Sequence, residues 1–174
     1  MVVENVILVD QNDQEIGLME KMEAHRKGAL HRAFSIFVFN NMGQLMMQQR
    51  AFAKYHSPGL WTNTCCSHPR KDETLEEAAH RRLKEEMGFD SDIKKVFDFT
   101  YHADVGQGLT EHEFDHVFIG HFEGDPRINK NEVADWKWMS IDEISNDLKN
   151  NPEKYTVWFR IAFYEVVQYL NSQN

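Results

Sequence analysis

The sequence lacks the means to staple itself covalently. Its two cysteines, Cys65 and Cys66, are neighbours, and adjacent residues cannot close a loop, so no disulfide framework is implied. At least one thiol is therefore free for chemistry. No run approaches the roughly 18 apolar residues of a membrane helix. The start, Met1-Val2-Val3-Glu4-Asn5, has neither the basic opening nor the apolar stretch of a signal peptide. Both absences point to a cytoplasmic protein with no membrane partner. Positive charge is scarce as well. A formal net charge of −9 disfavours general nucleic-acid binding, because the phosphate backbone rewards net basic surfaces. A local basic pocket for a small phosphorylated ligand stays open. There is no internal repeat and no low-complexity stretch.

What is present suits one folded domain over residues 1–174. Apolar residues make up 41% and charged residues 27%, ordinary globular usage that argues against disorder. Val2–Val9 alternates and reads as a strand, and Asp10–Glu15 reads as a turn. Ala33–Phe39 and Gln44–Gln49 read as a hairpin, with Gly43 free to take positive φ between them. Ser57-Pro58-Gly59 marks a turn before Leu60–Cys66. Thr74–Met87 is the clearest helix: Thr74 and Glu77 match a capping box, Leu75, Ala78, Ala79, Leu83 and Met87 recur at helical spacing, and Gly88 stands at the stop. Ile93–His102 and Glu111–Phe122 read as strands, Ser140 opens a short helix, and Pro152–Leu170 reads as a longer helix rich in aromatics. Strands with a central helix and late helices predict a mixed α/β (α+β) domain.

The chemistry-bearing residues cluster around the central helix. The stretch Glu73…Arg81-Arg82-Leu83-Lys84-Glu85-Glu86-Met87-Gly88-Phe89 resembles the Nudix box. Two positions depart from it: Ser67 stands where the first glycine belongs, and Arg82 replaces a metal-binding glutamate. Arg82 and Glu86 lie four apart on one helix face, so a surface ion pair is the bland alternative. Residues two apart in a strand share a face. Cys66 and His68 can therefore point into one cavity, as can Glu111 and Glu113. His25, His31 and His68 with Glu111 and Glu113, three histidines and two carboxylates, make a mixed nitrogen and oxygen set with one open octahedral position, suited to Mg²⁺, Mn²⁺ or Zn²⁺.

The wider pattern is more specific. Lys21–His31, Arg50–Lys54, Glu73–Gly88, Tyr101, Glu111–Glu113, Trp158 and above all the Trp-Thr-Asn-x-x-Cys-x-His-Pro motif at Trp61–Pro69 together resemble the type I isopentenyl-diphosphate isomerases over nearly the whole chain. The resemblance implies a Nudix-like mixed-sheet sandwich flanked by helices that no longer hydrolyses. It implies isomerisation of isopentenyl diphosphate to dimethylallyl diphosphate, in isoprenoid biosynthesis, with Cys66 and Glu113 as the catalytic pair across the substrate. Tyr101 is expected to hydrogen-bond the glutamate and Trp158 to face a carbocation. His25, His31, His68, Glu111 and Glu113 are expected to hold a metal (Mn²⁺, Mg²⁺ or Zn²⁺), and Glu86 a Mg²⁺ that arrives with the diphosphate. Lys21, Arg50, Lys54 and Arg82 are expected around the phosphates.

The expected partner is thus a small-molecule diphosphate, acting on a monomer, with a homodimer as the alternative. An unactivated alkene must be protonated on one face and deprotonated on the other, in a dry site. The glutamate–tyrosine side is favoured as donor and a Cys66 thiolate as receiving base. His56, His80, His102, His112, His116 and His121 are expected to be core or surface residues, Cys65 a packing residue facing away from Cys66, and Trp61 part of the pocket wall. The rival reading is a Nudix hydrolase of a nucleoside diphosphate derivative, against which Arg82 speaks.

Overall fold

The structure, a computed structural model, describes residues 2–174. Strands β1 (Asn5–Val9) and β2 (Glu15–Glu20) lead into a short helix, α1 (Lys21–Lys27). Strands β3 (His31–Phe39), β4 (Leu45–Arg50), β5 (Trp61–Thr62) and β6 (Cys65–Ser67) precede α2 (Leu75–Met87). The long hairpin β7 (Ile93–Gly106) and β8 (Leu109–His121) is followed by β9 (Val133–Met139), α3 (Ile141–Asn150) and α4 (Val157–Ser172). All nine strands join one mixed sheet.

β3 is its organising strand. It runs parallel to β8, with His31 opposite Glu113 and Phe39 opposite His121, and antiparallel to β6, with Ser35 opposite Cys66. The period of two then sorts the side chains. Phe37 and Phe39 of β3 and Val117 of β8 face α3 and α4, packing on Ile144, Phe159 and Phe163. Phe34, Ile36 and Val38 with Phe118 face α2, packing on Ala78, Leu83 and Met87. A helix layer on each face completes the sandwich, each fully buried large side chain contributing about 2–3 kcal/mol. Towards one end of β3 and β8 the first face changes character: His31, Ser35, Glu111, Glu113 and Asp115 are polar and buried.

α2 follows its local signals. The Thr74 hydroxyl accepts from the Glu77 amide at 3.1 Å, and the Glu77 carboxylate accepts from the Thr74 amide at 2.9 Å. Gly88 ends the helix at φ +70°, and a Cβ there would meet the Arg127 carbonyl oxygen at 2.3 Å, so only glycine fits. Ser67, by contrast, lies in β6 and is absent from the left-handed residues. Its backbone needs no glycine.

Three elements escape the sequence reading. α1 buries only Ala24 and His25, too little for a helical period to show. It is capped by the Glu20 carboxylate, which accepts from the Met22 and Glu23 amides at 2.8 and 2.9 Å. β2 begins inside the expected turn and pairs with β1 from Glu15 onward. β9 is set by pairing with β4, placing Trp138 opposite Met46 and Trp136 opposite Gln48; both indoles pack against the α2 side of the core. The C-terminal helix begins later than expected. Pro152–Lys154 forms a separate 3₁₀ turn, and Thr156 caps α4.

Candidate active site

Strand pairing places the two expected reactive groups on either side of β3. Glu113 on β8 sits opposite His31 on one side and opposite Tyr101 of β7 on the other. The Tyr101 hydroxyl donates to Glu113 Oε1. Cys66 on β6 sits opposite Ser35, with its Sγ 3.1 Å from Asn63 Oδ1 and 3.4 Å from Ser35 Oγ, whose hydroxyl donates to Asp115 at 2.7 Å. Cys66, His68, Glu111 and Glu113 line one cavity. Cys65 points to the opposite face and is fully buried against the α2 side of the core.

The histidines behind that cavity have the arrangement a metal requires. His25 Nδ1 lies 2.5 Å from the Lys21 carbonyl oxygen, and His31 Nδ1 lies 2.8 Å from that of Ala29. A carbonyl only accepts, so Nδ1 donates in both rings and Nε2 is left as the inward-facing atom that could ligate an ion. The inward ring nitrogens lie close to further polar atoms. His25 Nε2 is 2.9 Å from Glu111 Oε1, His68 Nε2 is 3.0 Å from Glu113 Oε2, and the Nε2 atoms of His31 and His68 are 3.2 Å apart. Ligands held at ~2.1 Å around one octahedral ion sit about 3 Å apart along an edge. His25, His31 and His68 form one group whose ligand atoms all converge, and His31, Glu111 and Glu113 form another. Glu111 Oε2 is buried with no hydrogen-bond partner. The donor set fits a divalent ion.

Electrostatics point the same way. Glu111, Glu113 and Asp115 are buried on one face of β8, and several unpaired buried charges cost several kcal/mol each. Burial first, then the Glu111 and Asp115 carboxylates, raise the Glu113 carboxyl well above its usual range. Burial pushes Asp115 up to about 7 against the Ser35 hydrogen bond. Burial opposes ionisation of Glu111 too, but hydrogen bonds from His25 and His56 outweigh it and hold that carboxyl low. Burial, followed by Asp115, pushes the Cys66 thiol up to about 12. Desolvation favours the neutral thiol over the charged thiolate.

The same cavity also carries cations. Lys21, Arg50, Lys54 and Arg82 all line the cavity. Each is tethered. Lys21 pairs with Glu4 at 3.0 Å, Lys54 pairs with Glu132, and Arg50 lies 5.2 Å from the Trp158 ring centre. Arg82 reaches Glu85 at 2.7 Å, Glu132 at 3.5 Å and Glu86. The Arg82 and Glu86 side chains are only 17% and 5% exposed, so the bland surface pair is excluded. Glu86 also accepts from Gln48 Nε2 at 2.9 Å. The Nudix-box pair is intact elsewhere: Arg81 grips Glu73 through Nε at 2.6 Å and Nη2 at 2.9 Å.

The sequence reading misplaced one residue, Trp61, and did not foresee the setting of another, His56. His56, expected to be core or surface, is buried against the metal-ligand group, its Nε2 2.6 Å from Glu111 Oε1. It lies in an irregular turn, where no periodicity could mark it. Trp61, expected in the pocket wall, instead packs at the edge of the core beneath Lys137, 4.2 Å from its ring centre. The reading also missed Tyr55 and Gln48 in the wall, and the Asn63, Ser35 and Asp115 chain behind the thiol. Asn63 alone carried a signal, as the third residue of the Trp-Thr-Asn motif. His80 pairs with Asp90, His116 with Asp13 and His121 with Glu123, away from the cavity.

Comparison with known proteins accords with this geometry. Residues 29–159 match the NUDIX domain family. The protein DR0079 of Deinococcus radiodurans shares the fold with a TM-score of 0.79 at 20% identity, over 93% of this chain and 98% of that one. A C. elegans Ap4A hydrolase aligns with a TM-score of 0.59 at 16% identity, over 81% of this chain and 98% of that one. The chain is a Nudix-fold protein. Sequence relatives narrow it further. A protein of Photorhabdus laumondii named isopentenyl-diphosphate Delta-isomerase 2 is 56% identical over 90% of this chain and 89% of its own length. One of Aromatoleum aromaticum with the same name is 52% identical over 94% and 87%. The isomerase of Pectobacterium atrosepticum is 48% identical over 97% and 94%. Within the Nudix superfamily this chain belongs to the isopentenyl-diphosphate Delta-isomerases of type I.

Proposed function

We propose that this cavity converts isopentenyl diphosphate to dimethylallyl diphosphate, and back, with Cys66 and Glu113 as the proton-transferring pair. The observation that carries the reading is that both groups wall the same cavity as four cations. The diphosphate is gripped by Lys21, Arg50, Lys54 and Arg82, where arginine forks can pair with phosphate oxygens. The five-carbon tail then lies between the thiol and the carboxyl. A proton added to the terminal alkene carbon leaves a tertiary carbocation, and loss of a proton from the carbon next to the diphosphate arm completes the shift. Because the reaction runs both ways, each group acts as acid in one direction and base in the other. Tyr101 holds Glu113 in place.

Trp158 presents its ring to the same cavity, and a desolvated aromatic face stabilises a cation by about 2 kcal/mol. That alone cannot carry the rate, so exclusion of water and preorganised charge contribute more. His25, His31, His68, Glu111 and Glu113 would hold a divalent ion. Three imidazoles favour Mn²⁺ or Zn²⁺ over Mg²⁺ there, while the carboxylate of Glu86 suits Mg²⁺ arriving with the diphosphate. Bound ions supply positive charge that stabilises the buried carboxylates and the phosphates. The hydrolase reading is disfavoured because Arg82 puts a guanidinium where the Nudix box carries a ligand.

Metal-loaded protein given isopentenyl diphosphate in heavy water should yield dimethylallyl diphosphate carrying deuterium, followed by NMR. Release of phosphate without an alkene shift would favour the hydrolase instead. Replacing Glu86 with glutamine should raise the Mg²⁺ concentration for half-maximal turnover about tenfold or more. An unchanged Mg²⁺ titration would remove Glu86 from that role.

A further inference from the structure

Among the described histidines outside the expected ligand set, His56 alone meets the metal group. Its Nε2 lies 2.6 Å from Glu111 Oε1, the same oxygen that faces His25 Nε2 at 2.9 Å. The first distance is shorter than the ~3 Å edge between two ligands of one octahedral ion and is a hydrogen-bond length. An ionised carboxylate only accepts, so His56 Nε2 must donate. On the far side of the ring, His56 Nδ1 is 3.2 Å from Ser57 Oγ, whose hydroxyl can donate to that lone pair. The chain of donors runs from Ser57 through His56 to Glu111.

We propose that His56 is a positioning residue of the metal centre, donating to Glu111 so that this carboxylate faces the ion together with His25. The assignment rests on the metal centre described above. Glu111 Oε2 is left without a partner, free to turn to a cation while Oε1 is held. The His56 ring also stands edge-on to Trp158, with centroids 5.7 Å apart at 88°, and to Tyr55, at 4.5 Å and 86°. Its carbonyl oxygen accepts from Arg50 Nη2 at 3.1 Å. One residue thus ties the metal carboxylate to the indole over the substrate and to a phosphate-gripping guanidinium. Outer partners of metal ligands fix ligand orientation, and their loss weakens metal binding about 10–100-fold.

The test uses the full chain and Mn²⁺ as probe, with free Mn²⁺ read by its EPR signal. His56→Phe keeps a ring against Trp158 and Tyr55 but has no donor. It should weaken Mn²⁺ binding about 10–100-fold while the metal-free protein still folds, as read from its unfolding transition. His56→Gln, whose amide N–H can replace the ring donor, should recover most of the loss. If the phenylalanine variant does not fold, His56→Leu serves the same comparison. Unchanged affinity in the donor-less variant overturns the assignment. So does a glutamine variant as weak as phenylalanine with one coordinated imidazole fewer by pulsed EPR, which would make His56 a direct ligand. Wild-type protein that binds no Mn²⁺ would remove the metal centre and this role together; wild-type binding with an unaffected variant would remove this role only.

Discussion

Cys66→Ala should lower turnover of isopentenyl diphosphate by about 10²–10⁴-fold, the range general acid–base groups contribute, while leaving the fold and the diphosphate grip in place. The sulfur hydrogen-bonds with Asn63 and Ser35, and the substitution removes a single atom. The neighbouring thiol is the control. Cys65 is fully buried on the other face of the sheet, among Ala78, Leu83 and Met87. Cys65→Ala should therefore cost about 1 kcal/mol of stability through a small cavity and change turnover little. Rate and melting temperature measured for both variants separate the two effects. A damaging Cys65→Ala beside a mild Cys66→Ala would invert the strand phase on which the site depends.

The second large effect is expected at Glu113. Glu113→Gln should suppress turnover by a comparable factor and, unlike Cys66→Ala, also lower metal content. The carboxylate has three roles at once: it accepts from Tyr101, it converges with His31 and His68, and it faces the cavity. Glutamine keeps the size and the Tyr101 contact but carries neither the negative charge nor a transferable carboxyl proton. Bound metal per chain after dialysis, measured beside the isomerisation rate, is the decisive pair of readouts. Full metal content with turnover close to wild type would remove Glu113 from both the chemistry and the centre.

Much of this was legible in the sequence, and the reason is periodicity. α2 announced itself through its capping box, its apolar spacing and Gly88. The alternation of Cys66 with His68, and of Glu111 with Glu113, fixed which side chains share a face. The mixed α/β sandwich followed from the same patterns. Motif resemblance then supplied what periodicity could not, since His25 and His31 come from a seven-residue helix and from the first residue of β3. What stayed hidden depends on tertiary partners. β9 is defined by its ladder to β4. His56 sits in a turn whose path no local rule sets. The protonation of Cys66 depends on burial and on Asp115, which lies nearly fifty residues further along the chain.

The polar cluster and the apolar core are successive stretches of the same two strands. His31 and Phe37 leave β3 on one face, as Glu113 and Val117 leave β8, so a single backbone ladder spaces both the packing and the reacting groups. Durability and reactivity in this enzyme consequently share one scaffold. The phenylalanines packed beneath α4 therefore rest on the same backbone ladder that spaces His31, Ser35 and Glu113.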